Sequence, residues 1–369
     1  MSLKNRKNQY TGTGTISYAE IARAAGVSPG LISAFFSGNH YSSERKSGIG
    51  ISPAKRRKII ETCHKLYYIP DTPYAFYRLY PEKADVGVML NDDVGDGFSN
   101  PYHSLLFEGL AKRAIETGVE VSNLFFKGMC DYLVRPEAIP NAIQNGSVNK
   151  LAIMSRPNCS LIYRLLKMDV SLVTVGQAIP MDGVVSVVPD FFEAARIAIH
   201  KLHEHGHRTI AIGEFPIMPR PESYNGRELR LGVEQAFREL GMPFNESYIF
   251  NTPPGFNHED LKVFLAQLPL PPTAIFCFDD HLARTVSHAL EDAGFSVPGD
   301  ISLIGCNDDR INREVRPGLS TIHLPCVQVG KRAFDELSRI AVEGRPQQYE
   351  RIVLPVEFLD RGSIRSLPV

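Results

Sequence analysis

The chain has 369 residues, of which 43% are hydrophobic, and its 40 basic residues nearly balance its 41 acidic ones. This length predicts two or three domains with packed cores, which excludes a disordered chain. Because the sequence shows neither a signal peptide nor an apolar run approaching the ~20 residues of a membrane span, a cytoplasmic protein is expected. The six cysteines form no CxxC pair and are predicted to be buried thiols, and neither a metal nor a cofactor is expected.

Charge is distributed unevenly along the chain. Residues 1–80 contain 12 basic and 4 acidic residues, whereas the rest of the chain contains 28 basic and 37 acidic residues. A basic head of this kind is typical of proteins that bind the phosphate backbone of nucleic acid. Charge alone leaves a solvated basic surface open as the alternative.

Residues 15–38, TISYAEIARAAGVSPGLISAFFSG, predict two short helices joined by a tight turn at Gly26. Ser28 stands where an N-cap is expected, and Pro29 follows at the first helical position. A helix-turn-helix of this size places its second helix in the major groove of DNA, although an ordinary helical hairpin has the same spacing.

A third helix is predicted over 51–70, capped by Ser52 and starting at Pro53, after a polar loop at 39–50. Three helices of this length form a compact headpiece in proteins with this motif. Residues 70–83 contain three prolines and predict a linker with at most one short helix.

Strands and helices alternate from residue 84 onward, in one series that begins with ADVGVMLN and a second that begins near residue 183. Strict alternation predicts doubly wound parallel sheets, and two series predict two α/β lobes. A ligand is expected at the carboxyl ends of the strands, in a crevice between the lobes. The predicted fold is therefore an all-α helix-turn-helix headpiece followed by a core of two doubly wound lobes.

Motifs along nearly the full chain resemble the lactose/galactose-repressor family of transcription factors. These are TISYAEIARAAGVSPGLIS, the linker beginning YIPDTP, NPY at 100–102, HEHGHRTIAIG at 203–213, TAIFCFDD at 273–280, GFSVPGDISLIGCNDD at 294–309 and RPGLSTIHLP at 316–325. The resemblance implies a DNA-binding headpiece, a hinge, and a core like a periplasmic binding protein. It also implies a homodimer that binds a double-stranded DNA operator and a small-molecule effector.

The predicted domain boundaries follow from this resemblance. They are a headpiece at 1–69, a hinge at 70–83 and an effector-binding core at 84–369. Because three crossovers thread the family core, each lobe is built from separate segments. The first lobe is predicted at about 84–178 and 324–342, and the second at about 179–323 and 343–369.

The recognition helix departs from the family pattern. The two positions that usually read base edges are Pro29 and Gly30, and Ala34 stands where a basic residue is common. Because none of these side chains offers a hydrogen bond, phosphate contacts and the 39–50 loop are expected to supply more of the binding. That loop carries Arg45 and Lys46, although a loop without a role in binding is an equal alternative.

The hinge departs as well. Leu79 or Tyr77 is expected to wedge into the minor groove, but Pro73 and Pro81 put a regular hinge helix in doubt. The complete set of predicted DNA-binding residues is Tyr18, Ser28, Pro29, Gly30, Ser33, Arg45, Lys46, Lys55, Arg56, Tyr77 and Leu79.

Two positions of the implied effector cleft lack the carboxylate that the family often places there. Asn307 stands in for a family aspartate, and Gly176, next to Gln177, aligns with a second one. Phe256 is expected either to stack on the ligand or to pack in the core. Asp279 is expected first to cap a helix and second to contact ligand. The predicted effector-binding residues are Tyr102, Gln177, Arg227, Arg230, Phe256, Asp279 and Asn307.

The predicted function is therefore a DNA-binding transcriptional regulator, most simply a repressor, controlled by a sugar-like effector. The alternative is a cytoplasmic small-molecule-binding protein of the same fold with weak or lost DNA specificity. A solute-binding protein for transport is disfavoured by the basic head. An enzyme is not expected, because TGTGT at 11–15 is no P-loop and the chain contains neither GxSxG nor HExxH.

Overall fold

The structure is a computed structural model that describes most of the chain. The described residues are 16–37, 51–81, 84–91, 100–126, 139–144, 148–154, 159–168, 170–214, 224–252, 255–310 and 318–368. Within these ranges no helix is both long enough and apolar enough to cross a membrane. The chain divides into two compact units, one at 1–187 and 330–352 and the other at 188–329 and 353–369.

The first unit begins with a headpiece of helices whose ends follow the sequence signals. These helices are α1 (Tyr18–Ala25), α2 (Pro29–Ser37), α3 (Pro53–Lys65) and α4 (Pro73–Leu79). Ser17 and Glu20 form a capping box at the start of α1, and Gly26 ends that helix with a left-handed φ of 64°. The predicted turn and the two helices that flank it are therefore confirmed, while Ser52 precedes α3 without a side-chain capping bond.

The headpiece core includes the segment that the sequence assigns to the hinge. Ile21, Ile32, Phe35 and Ile59 from the first three helices are fully buried together with Leu79 of α4. Helix α4 forms because Thr72 accepts a hydrogen bond from the Ala75 amide and Pro73 occupies the first turn. Residues 73–79 are thus the fourth helix of the headpiece rather than a separate linker.

The remainder of the first unit is a six-stranded sheet with helices between its strands. Its elements are β1 (Asp85–Asn91), α5 (Pro101–Thr117), β2 (Val121–Phe126), α6 (Asn141–Gln144), β3 (Val148–Ile153), α7 (Cys159–Lys167), β4 (Ser171–Val175), β5 (Val185–Pro189) and β11 (Glu350–Leu354). The strand order is β11-β5-β4-β3-β1-β2, and the pairs from β5 to β2 are parallel. A core of apolar side chains from β3, β4 and α7 packs on one face of this sheet.

The second unit is built on a sheet of the same size. Its elements are α8 (Phe191–Glu204), β6 (Ile210–Glu214), α9 (Tyr224–Glu239), β7 (Ile249–Asn251), α10 (His258–Ala266), β8 (Ala274–Cys277), α11 (Asp280–Asp292), β9 (Ser302–Asn307), β10 (Ser320–His323) and β12 (Glu357–Leu359). The strand order is β12-β10-β9-β8-β6-β7. All pairs are parallel except β12 with β10, which is antiparallel, so the doubly wound prediction holds with one antiparallel edge.

The boundaries between the two units lie later in the chain than the sequence predicts. The sequence assigns strand β5 to the second lobe, but its residues Val185–Val187 pair with Val173–Val175 of β4. Likewise β11, within the predicted 343–369 segment, joins the first sheet beside β5. The third change of unit falls between Val329 and Gly330, inside helix α12 (Cys326–Glu343). Alternation along the chain predicts the strands but does not specify which sheet an edge strand joins.

Candidate DNA-binding surface and effector-binding residues

The recognition helix α2 presents the predicted reading face to solvent. Ser28, Pro29, Gly30 and Ser33 are exposed, while Ile32, Phe35 and Phe36 on the opposite side are buried. Ser28 Oγ accepts a hydrogen bond from the Leu31 amide at 3.3 Å, which fixes the first turn. A Cβ added at Gly30 would meet nothing within 4 Å, so this face is open and carries only small side chains.

Tyr18 lies on α1 and is partly committed to packing. Its ring stacks on Phe36 with the ring centroids 5.3 Å apart and meets Tyr68 edge-on at 6.4 Å. The side chain remains 37% exposed. Tyr18 therefore fastens α1 to α2, and its contact with DNA stays a prediction.

The basic residues predicted to bind DNA differ in their exposure and in their contacts within the protein. Lys55 is exposed on α3, whereas Arg56 is half-buried and its Nη1 donates a hydrogen bond to the carbonyl of Ala341 at 3.1 Å. Arg45 and Lys46 lie outside the described residues. Of the two described residues, Lys55 is the one whose position suits a phosphate contact.

The hinge prediction requires a correction. Leu79 is 0% exposed in the headpiece core, so it is not available to wedge into the minor groove while that core is intact. The guanidinium of its neighbour Arg78 lies 5.4 Å from the centre of the Phe35 ring. Tyr77 is half-buried, with its ring edge-on to Phe76 at 5.6 Å. Leu79 is buried by side chains of the other headpiece helices, and the spacing of residues within 70–83 does not predict those contacts.

In the first unit the structure brings Tyr102 and Gln177 into one neighbourhood. Tyr102 Oη donates a hydrogen bond to the carbonyl of Gly176 at 2.8 Å, directly after β4. Gly176 has φ of 78°, and a Cβ there would lie 2.5 Å from the Tyr102 hydroxyl. Any side chain at 176 would therefore collide with Tyr102, so the carboxylate that the family often places at this position does not fit here. The Gln177 carbonyl accepts from Thr174 Oγ1 at 2.8 Å, and the residue is half-buried.

In the second unit Asp279 caps α11, as predicted. Its Oδ1 accepts a hydrogen bond from the Leu282 amide at 2.6 Å. The next residue, Asp280, is fully buried and accepts from Thr321 Oγ1 at 2.6 Å and from the Asp309 amide at 2.7 Å. Burial raises the pKa of Asp280 to about 7. Asp280 thus joins the start of α11 to β10 and to the loop after β9.

Asn307 ends β9 at the same edge of the second sheet. It has φ of 125°, a conformation that favours glycine, and it is half-buried. In the described part of the chain its side-chain amide makes no hydrogen bond. As an effector contact Asn307 stays a prediction.

A polar network beside Asn307 was not predicted from the sequence. Asp308 pairs with Arg361 and with His323 Nδ1, the latter at 3.0 Å. Asp309 is 2% exposed, and burial raises the pKa of its carboxyl to about 6. The only sequence signal is the NDD run after a buried strand, because His323 and Arg361 are distant along the chain.

The predicted arginines are engaged differently. Arg230 on α9 pairs with Glu214 at the end of β6, with Glu234 at 3.2 Å and with Glu246 at 3.4 Å. Its charge is therefore matched within the unit. Arg227 is 56% exposed and lies 3.7 Å from Glu228. Neither arginine is brought to Asn307 by a described contact, and their roles in effector binding stay predictions.

Phe256 matches the core-packing alternative that the sequence left open. It is partly buried against the core of the second unit and stacks on Phe250 at 6.0 Å. The contacts of this ring are thus explained without a ligand.

The comparisons with known proteins agree with this geometry. Residues 199–364 match the model of a periplasmic binding protein-like domain. Catabolite control protein A of Priestia megaterium is 26% identical over 323 residues, covering 87% of this chain and 91% of that protein. The probable HTH-type transcriptional repressor ExuR of Bacillus subtilis is 25% identical over 357 residues, covering 95% of this chain and 99% of that protein. The homologues of this chain are regulators of the LacI family, so the resemblance found in the sequence is confirmed.

Solved structures of transcriptional regulators have the same fold. A transcriptional regulator CelR–cellobiose complex covers 94% of this chain and 99% of its own, with a TM-score of 0.63 and 19% identity. A LacI family regulator from Enterococcus faecium with bound ribose covers 77% of this chain and 100% of its own, with a TM-score of 0.62 and 23% identity. At these identities the likeness establishes the shared fold, while the residues of each site must be judged from this chain's own geometry.

Proposed function

We propose that this protein is a transcriptional repressor that binds double-stranded DNA as a homodimer in the cytoplasm and is controlled by a sugar-like effector. The observation that supports this most strongly is a basic headpiece with an exposed recognition helix, attached to two sheet units of the periplasmic-binding-protein type. The named relatives include a probable transcriptional repressor. Neither a catalytic activity nor membrane attachment is part of the proposal.

The effector class is inferred from the same family. Relatives of the same fold hold cellobiose and ribose. The Asn307 amide and the half-buried Gln177 offer uncharged hydrogen-bonding groups at the carboxyl edges of their sheets. Such groups suit hydroxyl-bearing ligands. A thermal-shift screen against sugars, sugar acids and polyols tests this, because a ligand at a hundred times its Kd stabilises by roughly 2.7 kcal/mol.

DNA binding is tested most sharply at Gly30, where added atoms meet open space. Gly30→Arg is expected to strengthen binding to a fluorescent DNA duplex, and Gly30→Glu to weaken it, because phosphates attract the first side chain and repel the second. Gly30→Ala is the neutral control. One new phosphate contact should steepen the slope of log affinity against log salt by about 0.9. Equal affinities for the arginine and glutamate variants would contradict the proposed interface.

Specificity is expected to be modest. Pro29, Gly30 and Ala34 lack the hydrogen-bonding side chains that read bases, and a good bidentate contact is worth ~1–3 kcal/mol. The ratio of specific to non-specific affinity should therefore lie near the lower end of the usual range, roughly 10³. Selection of sites from random duplexes measures this ratio. A sharp consensus retained by the double variant Arg45→Ala and Lys46→Ala would contradict a role for the 39–50 loop.

A further inference from the structure

Arg56 was predicted to bind DNA, but its described contacts are with other residues of the protein. Its Nη1 donates a hydrogen bond to the carbonyl of Ala341 in the last turn of α12, at 3.1 Å. The same guanidinium lies 5.8 Å from the centre of the Phe35 ring in the headpiece core. One side chain thus connects the headpiece core to a helix of the first unit that lies 285 residues away in sequence.

A second contact lies beside the first. Arg57 Nη2 is 3.6 Å from Oε1 of Glu343, the last residue of α12. The last carbonyls of a helix carry partial negative charge and have no partner within the helix. Two arginines therefore meet a carbonyl and a carboxylate at the end of α12 that attracts cations. We call this group of Arg56, Arg57, Ala341 and Glu343 the headpiece dock.

The helix that carries the dock includes residues of both units of the chain. Its first residues, Cys326–Val329, are part of the second unit, and Gly330–Glu343 are part of the first. A helix of 18 residues is about 27 Å long. The dock forms at the carboxyl end of α12, within the portion that belongs to the first unit.

The covalent connection of the headpiece is short. Leu79 at the end of α4 is buried in the headpiece core, and β1 begins at Asp85. Only residues 80–84 join the two. With α4 tied into the headpiece, no separate hinge helix remains among the described residues to set the position of the headpiece.

We propose that Arg56 and Arg57 are positioning residues that fasten the headpiece to the end of α12, and that neither is a phosphate contact. The proposal rests on the DNA-binding function proposed above. It assigns Arg56 a role different from the one that the sequence predicts. The exposed recognition helix is compatible with this role, because its open face consists of α2 residues that take no part in the dock.

The first experiment compares Arg56→Gln, Glu343→Gln and the matched control Lys55→Gln in the full chain, using a fluorescent DNA duplex over a range of salt concentrations. Removal of a phosphate-binding cation lowers the salt slope by about 0.9. We expect this for Lys55→Gln only. For Arg56→Gln and Glu343→Gln we expect affinity to fall about threefold to fivefold with the salt slope unchanged, because one hydrogen bond to a helix carbonyl or one exposed ion pair contributes about 1 kcal/mol. A slope reduced by about 0.9 in Arg56→Gln would overturn the proposal.

The second experiment exchanges the charges of the outer pair. Arg57→Glu is expected to weaken DNA binding, and adding Glu343→Arg is expected to restore part of it, since the ion pair is rebuilt with opposite polarity. Arg339, which lies 3.7 Å from Glu343, loses that partner in the double variant but keeps Glu336 and Glu350. If Arg57 instead bound a DNA phosphate, a cation at position 343 could not take over that role. If the double variant binds DNA no better than Arg57→Glu alone, the dock does not position the headpiece.

A measurement without DNA tests the headpiece dock separately from the proposed DNA-binding function. Amide hydrogen exchange at residues 341–344 and along α3 should be faster in both Arg56→Gln and Glu343→Gln than in the wild-type chain. Unchanged exchange in both variants would overturn the dock and leave the DNA-binding proposal intact. If the wild-type chain fails to bind duplex DNA while these amides respond, the dock is retained and the proposed function fails.

Discussion

The carboxyl edges of the two sheets differ in how they hold their polar groups. In the first unit the described polar groups at the end of β4 are uncharged, with the Tyr102 hydroxyl bonded to the Gly176 carbonyl and Gln177 beside it. In the second unit the edge carries four aspartates, Asp279, Asp280, Asp308 and Asp309, of which the first three are held by backbone amides, Thr321, His323 and Arg361. The carboxyl of Asp309 is buried beside them. The described groups at the end of β4 are thus arranged by steric fit, whereas those at the edge of the second sheet are arranged by the pairing of buried charges.

The largest effect is expected at the centre of the charged edge. Asp280→Ala removes both hydrogen bonds of this carboxylate and leaves Thr321 Oγ1 and the Asp309 amide buried without their acceptor. The free energy of unfolding should fall by about 3 kcal/mol. Urea denaturation measures this, with the exposed Asp292→Ala on the same helix expected to change stability by less than about 0.5 kcal/mol. Equal effects of the two variants would show that the network is not structural.

The end of β4 in the first unit is tested at Gly176. Gly176→Ala places a Cβ 2.5 Å from the Tyr102 hydroxyl at a φ of 78°, and we expect a loss of about 2 kcal/mol. Tyr102→Phe alone should cost about 1 kcal/mol through the missing hydrogen bond. The double variant should lose less stability than the sum of the two single losses, because the hydroxyl no longer collides with the new methyl group. Strict additivity in thermal or urea unfolding would place the two residues out of contact.

The pH dependence of stability distinguishes the two edges further. Asp280 has a pKa of about 7 when folded and an ordinary value of 3.8. Between these values the folded state keeps a proton that the unfolded state releases, so stability falls as pH rises from about 4 to about 7. We expect a slope of about 1 kcal/mol per pH unit in this range attributable to this group. Asp280→Asn should flatten the pH profile relative to the wild type, and an unchanged profile would assign the dependence to other groups.

The smallest effect is expected at Asn307, on ligand binding. Asn307→Ala should weaken binding of a sugar found by thermal shift by about 1 kcal/mol, because one hydrogen bond is removed. Asn307→Gly is the matched control for backbone strain, since glycine accepts the φ of 125° that alanine does not. Calorimetry should show the same loss of affinity for both variants. If only the alanine variant binds less tightly, strain rather than the amide is responsible.

Local signals predicted most of the fold. Capping residues such as Ser28 and Asp279 and the left-handed Gly26 indicated the helix ends, and the alternation of strands and helices indicated both sheets. These features depend on neighbours in sequence or on simple burial.

Features that depend on distant residues were not predictable in the same way. The burial of Leu79 requires Ile32, Phe35 and Ile59 to surround it, and no spacing within 70–83 records them. The membership of β5 in the first sheet depends on its pairing with β4 rather than on its own composition. The partners of Asp308 include Arg361, which is 53 residues away. Sequence patterns predicted the elements, and tertiary contacts decided which of the predicted site residues are free to bind.

The placement of Leu79 has a practical consequence for protein engineering. DNA-binding heads of modular regulators invite exchange, and a junction placed after residue 69 would follow the boundary that the sequence predicts. Such a cut would remove Ala75 and Leu79 from the headpiece core and leave a cavity beside Phe35. A chimera that is to keep this head intact must therefore carry the donor sequence through Tyr80 and be joined in the short segment before β1.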